Sequence, residues 1–305
     1  MRVMITDIGS NTVKYDVFEI EGDKLRKTEH KAIVLGFISY IDENGVPSVE
    51  GVEKLCAILD GYKSRAEMTE CQKMLVFATA SLRRCREPYK VIEEIYEKTG
   101  LKVELFDGEK EAQMSLLGVL ATHPETVSGI MADMGGGSTE LNIYKDRKSV
   151  YLISNPFGAL SLKNSFVKDK GTELGFFANE AEIRDIYDHA RKTVKEAHVP
   201  KPEGEFMFIV GGSARAIGAL IAFHTGKKDE FTNDDLKAII NEYKEMTHER
   251  HELLKALTPE REKLMIPAIS AFSAISDELG IEKIKVALGG IREGYMYSEF
   301  MGKDK

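Results

Sequence analysis

Cysteine is scarce, long apolar runs are missing and basic charge is in deficit, and each shortage removes a class of function. Three cysteines, Cys56, Cys71 and Cys85, occur in 305 residues. The number is odd and no C-x-x-C spacing exists, which argues against a disulfide frame or a cysteine zinc site and for reduced thiols packed as small hydrophobes. No stretch approaches the roughly 18 apolar residues of a membrane span, and the amino terminus enters a strand pattern with no signal-peptide layout, so a cytoplasmic protein without a membrane anchor is expected. Lysine and arginine number 42 against 50 aspartates and glutamates, a formal charge of −8. Nucleic-acid binding through a broadly basic surface is therefore not expected, and an anionic ligand would need locally placed cations.

The chain is long enough for two domains of ordinary size, and its hydrophobic share of 43% is that of a globular protein. Its most informative stretch is Gly129-Ile-Met-Ala-Asp133-Met-Gly135-Gly136-Gly137-Ser138-Thr139-Glu140-Leu141. An apolar run ending in an acid, three glycines with Ser-Thr, and a resumed apolar run read as strand, tight turn, strand. Glycines let backbone N–H groups approach an anion, the hydroxyls add donors, and Asp133 can hold a divalent cation against the same oxygens. Three glycines alone would be an ordinary hairpin. The chain, however, opens with the same arrangement, Val3-Met-Ile-Thr-Asp7-Ile-Gly9-Ser10-Asn11-Thr12, followed by a strand from Lys14 to Ile20. This internal repeat points to two similar domains whose loops face each other across a cleft.

Further strands are expected at Leu25–Leu35, Met74–Thr79 and Leu101–Phe106, with helices in Val49–Glu70, Glu87–Thr99 and Glu109–Leu120, an α/β pattern. The second half repeats it with strands at Ile130–Asp133, Glu140–Tyr144, Ser149–Ile153, Phe206–Val210 and Lys283–Leu288. Asn179 and Thr232 look like helix caps, and Pro259 is expected at a first helical position. The domain boundary is expected near His123-Pro124-Glu125-Thr126. After Gly289-Gly290, apolar positions at Ile291, Tyr295, Met296 and Phe300 form a helical stripe that must be covered.

Asp7 and Asp133 end strands at glycine turns, where α/β proteins bind ligands, a pair that can position a divalent metal directly or through water, and Glu140 could add a further oxygen to it. Ala78-Thr-Ala-Ser81-Leu-Arg83-Arg84-Cys-Arg86 supplies arginine forks for phosphate, or is a solvated charge run. Gly108-Glu109-Lys110-Glu111-Ala112 opens a helix whose carboxylates could take a proton from water, or merely favour the helix start. Gly211-Gly212-Ser213-Ala214-Arg215 is a third anion-friendly helix start. His248 and His251 lack the acidic partners of a metal site.

In order, these stretches resemble the exopolyphosphatase and guanosine pentaphosphate phosphohydrolase (Ppx/GppA) family of the actin-like superfamily, from Asp7 to the Leu288–Gly294 segment. The resemblance implies two α/β domains of actin-like (ribonuclease H-like) type flanking a central cleft, here 1–123 and 124–289, with a carboxy-terminal helix at 290–305 returning to the first. It implies Mg²⁺-dependent release of terminal phosphate from polyphosphate or pppGpp. Glu111 falls on the catalytic glutamate, Asp133 and Glu140 on metal-associated acids, Ser10, Asn11, Gly136, Gly137 and Ser138 on phosphate-loop positions, and Arg83 on a phosphate-binding arginine. Lys110, Gln113, Arg84, Glu87 and the Pro156–Asn164 segment depart from the family pattern. A kinase or ATPase of the same superfamily and a non-catalytic receptor for polyphosphate or guanosine alarmones are the competing readings. No nucleic-acid or membrane partner is expected, and a homodimer is left open.

Overall fold

The computed structural model describes residues 1–301 apart from Asp23, Asp169, Thr172 and Glu173, so the last residues of the expected terminal helix lie outside the described ones. It divides into two compact units, Met1–Glu111 with the residues from Tyr295 onward, and Ala112–Gly294.

In the first unit, β1 (Arg2–Ile8), β2 (Thr12–Glu21) and β3 (Lys24–Val34) form an antiparallel meander. Then α1 (Val49–Met68) leads to β4 (Lys73–Ala78), the one-turn α2 (Ala80–Arg83), α3 (Pro88–Thr99), β5 (Val103–Leu105) and the start of α4 (Gly108–Thr122). The sheet order is β3-β2-β1-β4-β5, with β4 and β5 parallel to β1. Two-residue alternation sends Met4, Ile8, Val13, Tyr15 and Val17 into a core closed by Leu55, Leu59 and Ile95 of α1 and α3. The opposite face carries Asp7 and Lys14. Ser48 caps α1 by accepting from the Gly51 N–H, and Gly100, left-handed at φ 72°, ends α3.

The second unit repeats the scheme with β6 (Gly129–Met134), β7 (Thr139–Lys145) and β8 (Lys148–Asn155). There follow α5 (Ala159–Phe166), α6 (Glu180–Glu196), β9 (Phe206–Val210), α7 (Gly212–Thr225), β10 (Glu230–Thr232), α8 (Asn233–Tyr243), α9 (His248–Leu257), α10 (Glu262–Leu279) and β11 (Lys283–Val286). The sheet order is β10-β11-β9-β6-β7-β8, the same meander with parallel strands on its inner side and one short strand added at the edge. Ile130, Ala132, Leu141 and Ile143 enter the large core under α5 to α10, while Met131, Tyr144 and Phe208 meet Leu116, Val119 and Leu120 of α4 on the other face. Asp133 and Glu140 lie on that second face. Both sheets thus have the actin-like arrangement.

Two elements differ from expectation, and the terminal helix returns to the first unit as expected. The boundary falls at Glu111, ahead of His123, because the apolar side of α4 is buried on the second sheet. The helix expected to begin at Pro259 begins at Glu262, after a turn in which Glu260 is left-handed at φ 64°. The terminal helix α11 (Ile291–Phe300) places Tyr295 edge-on to the stacked rings of Phe77 and Phe106 in the first unit.

Candidate active site

Both glycine turns are closed by the same backbone hydrogen bond, Gly9 N–H to the Thr12 carbonyl at 3.2 Å and Gly135 N–H to the Ser138 carbonyl at 2.9 Å. In the second turn the Gly135 carbonyl accepts from Ala159 N–H, and the Gly136 carbonyl accepts from Leu160 and Ser161 N–H, all at the start of α5. A trans peptide points its N–H opposite to its C=O, so this fixes the N–H groups of Gly136 and Gly137 away from α5. Neither has a protein partner among the described residues. Gly158 makes the clasp feasible, since a Cβ there would lie 2.6 Å from the Gly135 carbonyl oxygen. The first turn is held alike: Ser10 O accepts from Ile38 N–H, and Asn11 O from Leu35 and Gly36 N–H. Ser10 and Ser138 are buried, each at 7% exposure. Such outward-facing N–H groups form an anion-binding concavity.

Across each hairpin the strand-end acid meets a fixed partner. Asp7 is opposite Lys14, whose Nζ lies 3.8 Å from its Oδ2. Asp133 is opposite Glu140. Directly opposed like charges destabilise a sheet, and Glu140 is nearly sealed at 1% exposure. Hydroxyls orient both carboxylates: Ser154 Oγ donates to Glu140 at 2.7 Å, and the buried Ser115 Oγ of α4 donates to Asp133 Oδ2. Gly211, at φ 102°, borders the other oxygen; a Cβ there would stand 3.2 Å from Asp133 Oδ1. Among the described residues no group of three or more Asp, Glu, His or Cys could hold a metal by itself. Two carboxylates suit Mg²⁺, which keeps waters and takes its remaining oxygens from substrate phosphates.

In the first unit, Arg83 Nη1 donates to Glu111 Oε2 at 2.6 Å and to the Phe106 carbonyl at 2.9 Å. Asp107 caps α4 by accepting from Lys110 N–H, setting Glu111 in the first turn. Other residues near these motifs have structural work. Ser81 is fully buried and donates to the Ile8 carbonyl, Arg84 and Arg86 are exposed, and Lys110 bonds Glu104 while lying 4.5 Å from the Phe106 ring.

The Ppx/GppA phosphatase family model matches residues 26–302. The chain belongs to this family. A putative exopolyphosphatase of Haemophilus influenzae is 22% identical over 97% of this chain and 91% of its own length. Exopolyphosphatase 1 of Mycobacterium tuberculosis is 25% identical over 96% and 87%. A guanosine-5'-triphosphate,3'-diphosphate pyrophosphatase of Vibrio parahaemolyticus is 26% identical over 95% of this chain but 58% of its own. The crystal structure of the Aquifex aeolicus Ppx/GppA family member shares the fold, with a TM-score of 0.82, 23% identity and coverage of 100% of this chain and 99% of that one. As a Ppx/GppA family member the protein is a hydrolase acting on phosphoanhydrides.

Two cations of this phosphatase were not among the residues singled out from its sequence. Lys14 sits opposite Asp7, and the alternation of the first hairpin could have placed it there. Arg261 packs its guanidinium on Gly212, where a Cβ would fall 2.4 Å from Nη2, at the start of α7. Burial, together with the charge of Arg215, lowers its pKa from the usual arginine value. A partly buried cation beside another and a helix N-terminus suits an anion.

Proposed function

We propose that this protein releases terminal phosphate from inorganic polyphosphate or pppGpp in a Mg²⁺-dependent reaction, with Glu111 activating the attacking water. The observation that carries this is the opposed pair Asp133 and Glu140 beside the Gly136 and Gly137 N–H groups: two acids that want a cation next to donors that want an anion. Asp133 and Glu140 would hold Mg²⁺, which when bound neutralises phosphate charge. The N–H groups of Gly136 and Gly137, the Ser138 hydroxyl and Arg261 would bind phosphate oxygens in the second unit, and Ser10, Asn11 and Arg83 in the first. Asp7, already balanced by Lys14, would orient rather than carry the metal. Glu111, held by Arg83, would accept the proton as water attacks the terminal phosphorus, and the shortened chain would leave as an anion. The names of the relatives support both substrates, and the reading places the protein among soluble enzymes of the cytoplasm; no helix described is long and apolar enough to cross a membrane.

The test is phosphate release from polyphosphate, pppGpp, ATP and pyrophosphate, with Mg²⁺ and with chelator, for the protein and for Glu111→Gln. Turnover on polyphosphate or pppGpp should need the metal and fall about 10²- to 10⁴-fold in the variant, with binding retained. Binding without turnover by the unaltered protein would establish a receptor instead, and phosphate transfer to an acceptor would establish a kinase.

A further inference from the structure

In the first unit, Phe106 lies in the short connection between β5 and α4, fully buried and held from several sides. Its N–H donates to the Ala78 carbonyl of β4 at 2.9 Å. Its ring stacks on Phe77, with centroids 4.7 Å apart and planes 10° apart, and Tyr295 meets both edge-on, at 5.1 Å from Phe106 and 5.7 Å from Phe77. Lys110 Nζ lies 4.5 Å from the Phe106 ring centre. Stacked and edge-on rings, and a cation over a ring, each add to the fixing that burial gives. The two outer members are themselves tied to one carboxylate: Tyr295 OH donates to Glu104 Oε2 at 2.7 Å, and Lys110 Nζ donates to Glu104 Oε1.

What this clamp fixes is a carbonyl. Arg83 Nη1 donates both to the Phe106 carbonyl and to Glu111 Oε2, so the same nitrogen that holds Glu111 is itself aimed by Phe106. A guanidinium is planar and rigid, and fixing one nitrogen against two acceptors fixes the directions of the rest. The Arg83 backbone gives little further support, because it ends the one-turn α2. Lys110 precedes Glu111 on α4 and ties the same helical turn to the Phe106 ring. Displacements of about 1 Å at such a site can cost on the order of 10²-fold in rate, so the clamp bears on the chemistry although its aromatic members touch neither Arg83 nor Glu111 through their rings.

We propose that Tyr295 and Lys110 are positioning residues for the hydrolysis: by clamping Phe106 they fix its carbonyl, and through it the Arg83 guanidinium and the Glu111 carboxylate. The catalytic part of this inference rests on the reading of Glu111 as the base, and its structural part does not. Lys110, which departs from the family pattern, thereby acts through Phe106 rather than on phosphate.

The test reads the Arg83 side chain first and turnover second. In NMR spectra of the full chain carrying isotope-labelled arginine, the Arg83 Nη1 and Nη2 signals, assigned by their loss in Arg83→Ala, should be resolved, as two bonds on Nη1 require. They should merge in Tyr295→Leu and move toward merging in Lys110→Met, a partly exposed change that leaves no cavity and serves if the leucine variant does not fold. Phosphate release from polyphosphate should fall about tenfold in Tyr295→Leu and about threefold in Lys110→Met, and Tyr295→Phe, which keeps the ring, should recover most of the loss. In an Arg83→Ala background neither change should cost more, because the route through Arg83 is already cut, whereas a packing role would make the losses multiply. The proposal fails if the Arg83 signals are the same in both variants as in the unaltered protein, or if the losses multiply. An active Glu111→Gln protein, or an unaltered protein without turnover, would overturn the reading of Glu111 as base, and the Arg83 signals would then decide this proposal alone.

Discussion

Lys14 and Glu140 occupy the same place in two copies of one hairpin, each directly opposite the aspartate that ends the preceding strand. In the first copy the aspartate is balanced from within the sheet. In the second, two carboxylates face each other, one of them nearly sealed. The hairpins agree in backbone closure, Gly9 on Thr12 and Gly135 on Ser138, and differ in the side chain that faces the strand-end aspartate. The duplicated fold supplies two closed turns, and the strand-end aspartate faces a lysine in the first and a glutamate in the second.

The largest effect that could break this comparison is in turnover. Asp133→Asn should lose on the order of 10²-fold or more of Mg²⁺-dependent phosphate release, whereas Asp7→Asn should lose under about tenfold. Equal losses, read from initial rates over a Mg²⁺ titration, would mean that both acids serve the metal. A sharper version exchanges the side chains that differ. With Glu140→Lys, added Mg²⁺ should no longer raise the melting temperature, because the binding that stabilises the native state is removed. With Lys14→Glu, the metal-free protein should be less stable by about 1 kcal/mol, read by denaturant melting. A Glu140→Lys protein still stabilised by Mg²⁺ would place the cation elsewhere.

Smaller effects concern what supports each copy. Ser115→Ala removes a donor to Asp133 and should weaken Mg²⁺ about tenfold while leaving the substrate constant at saturating metal unchanged; the threonine variant should recover much of the loss. A shift in both constants would give Ser115 a packing role only. The smallest expected effect is on pH dependence in the first unit. Burial raises the Glu104 pKa, but hydrogen bonds from Lys110 and Tyr295 outweigh it, so the carboxyl sits below its usual 4.5. A depressed native value means that its stabilisation is complete above the unfolded value and is lost as pH falls through 4.5 and below. Glu104→Gln should therefore lower the melting temperature slightly at pH 7, and the two proteins should converge near pH 3. A constant difference would trace it to packing.

The hairpins and their acids were readable because the evidence for them is local: an apolar run, an acid and glycines adjacent in sequence. Lys14 was equally local, yet strand propensity does not say which residue a turn brings opposite, and only the ladder shows it. Arg261 was hidden by a wrong helix start. Read as beginning at Pro259, the segment puts Arg261 into a first helical turn, whereas the left-handed Glu260 turns it back on Gly212. Lys110, a departure from the family pattern in the sequence, is committed to Glu104 and two aromatic rings, which no short motif announces. Ser115 and Asp133 are far enough apart along the chain that no short motif joins them.

The clasp between α5 and the glycine turn bears on whether this motif can be transplanted. Gly-Gly-Gly-Ser-Thr does not orient itself; three amides from a helix some twenty residues downstream do so, and Gly158 leaves them room. The functional unit is the turn together with the Gly158–Ser161 helix start. A five-residue graft into another hairpin would carry the letters without the grip that gives them a direction. A protein engineer would have to move both pieces, and a search that scores the turn alone will return many hairpins that cannot do its work.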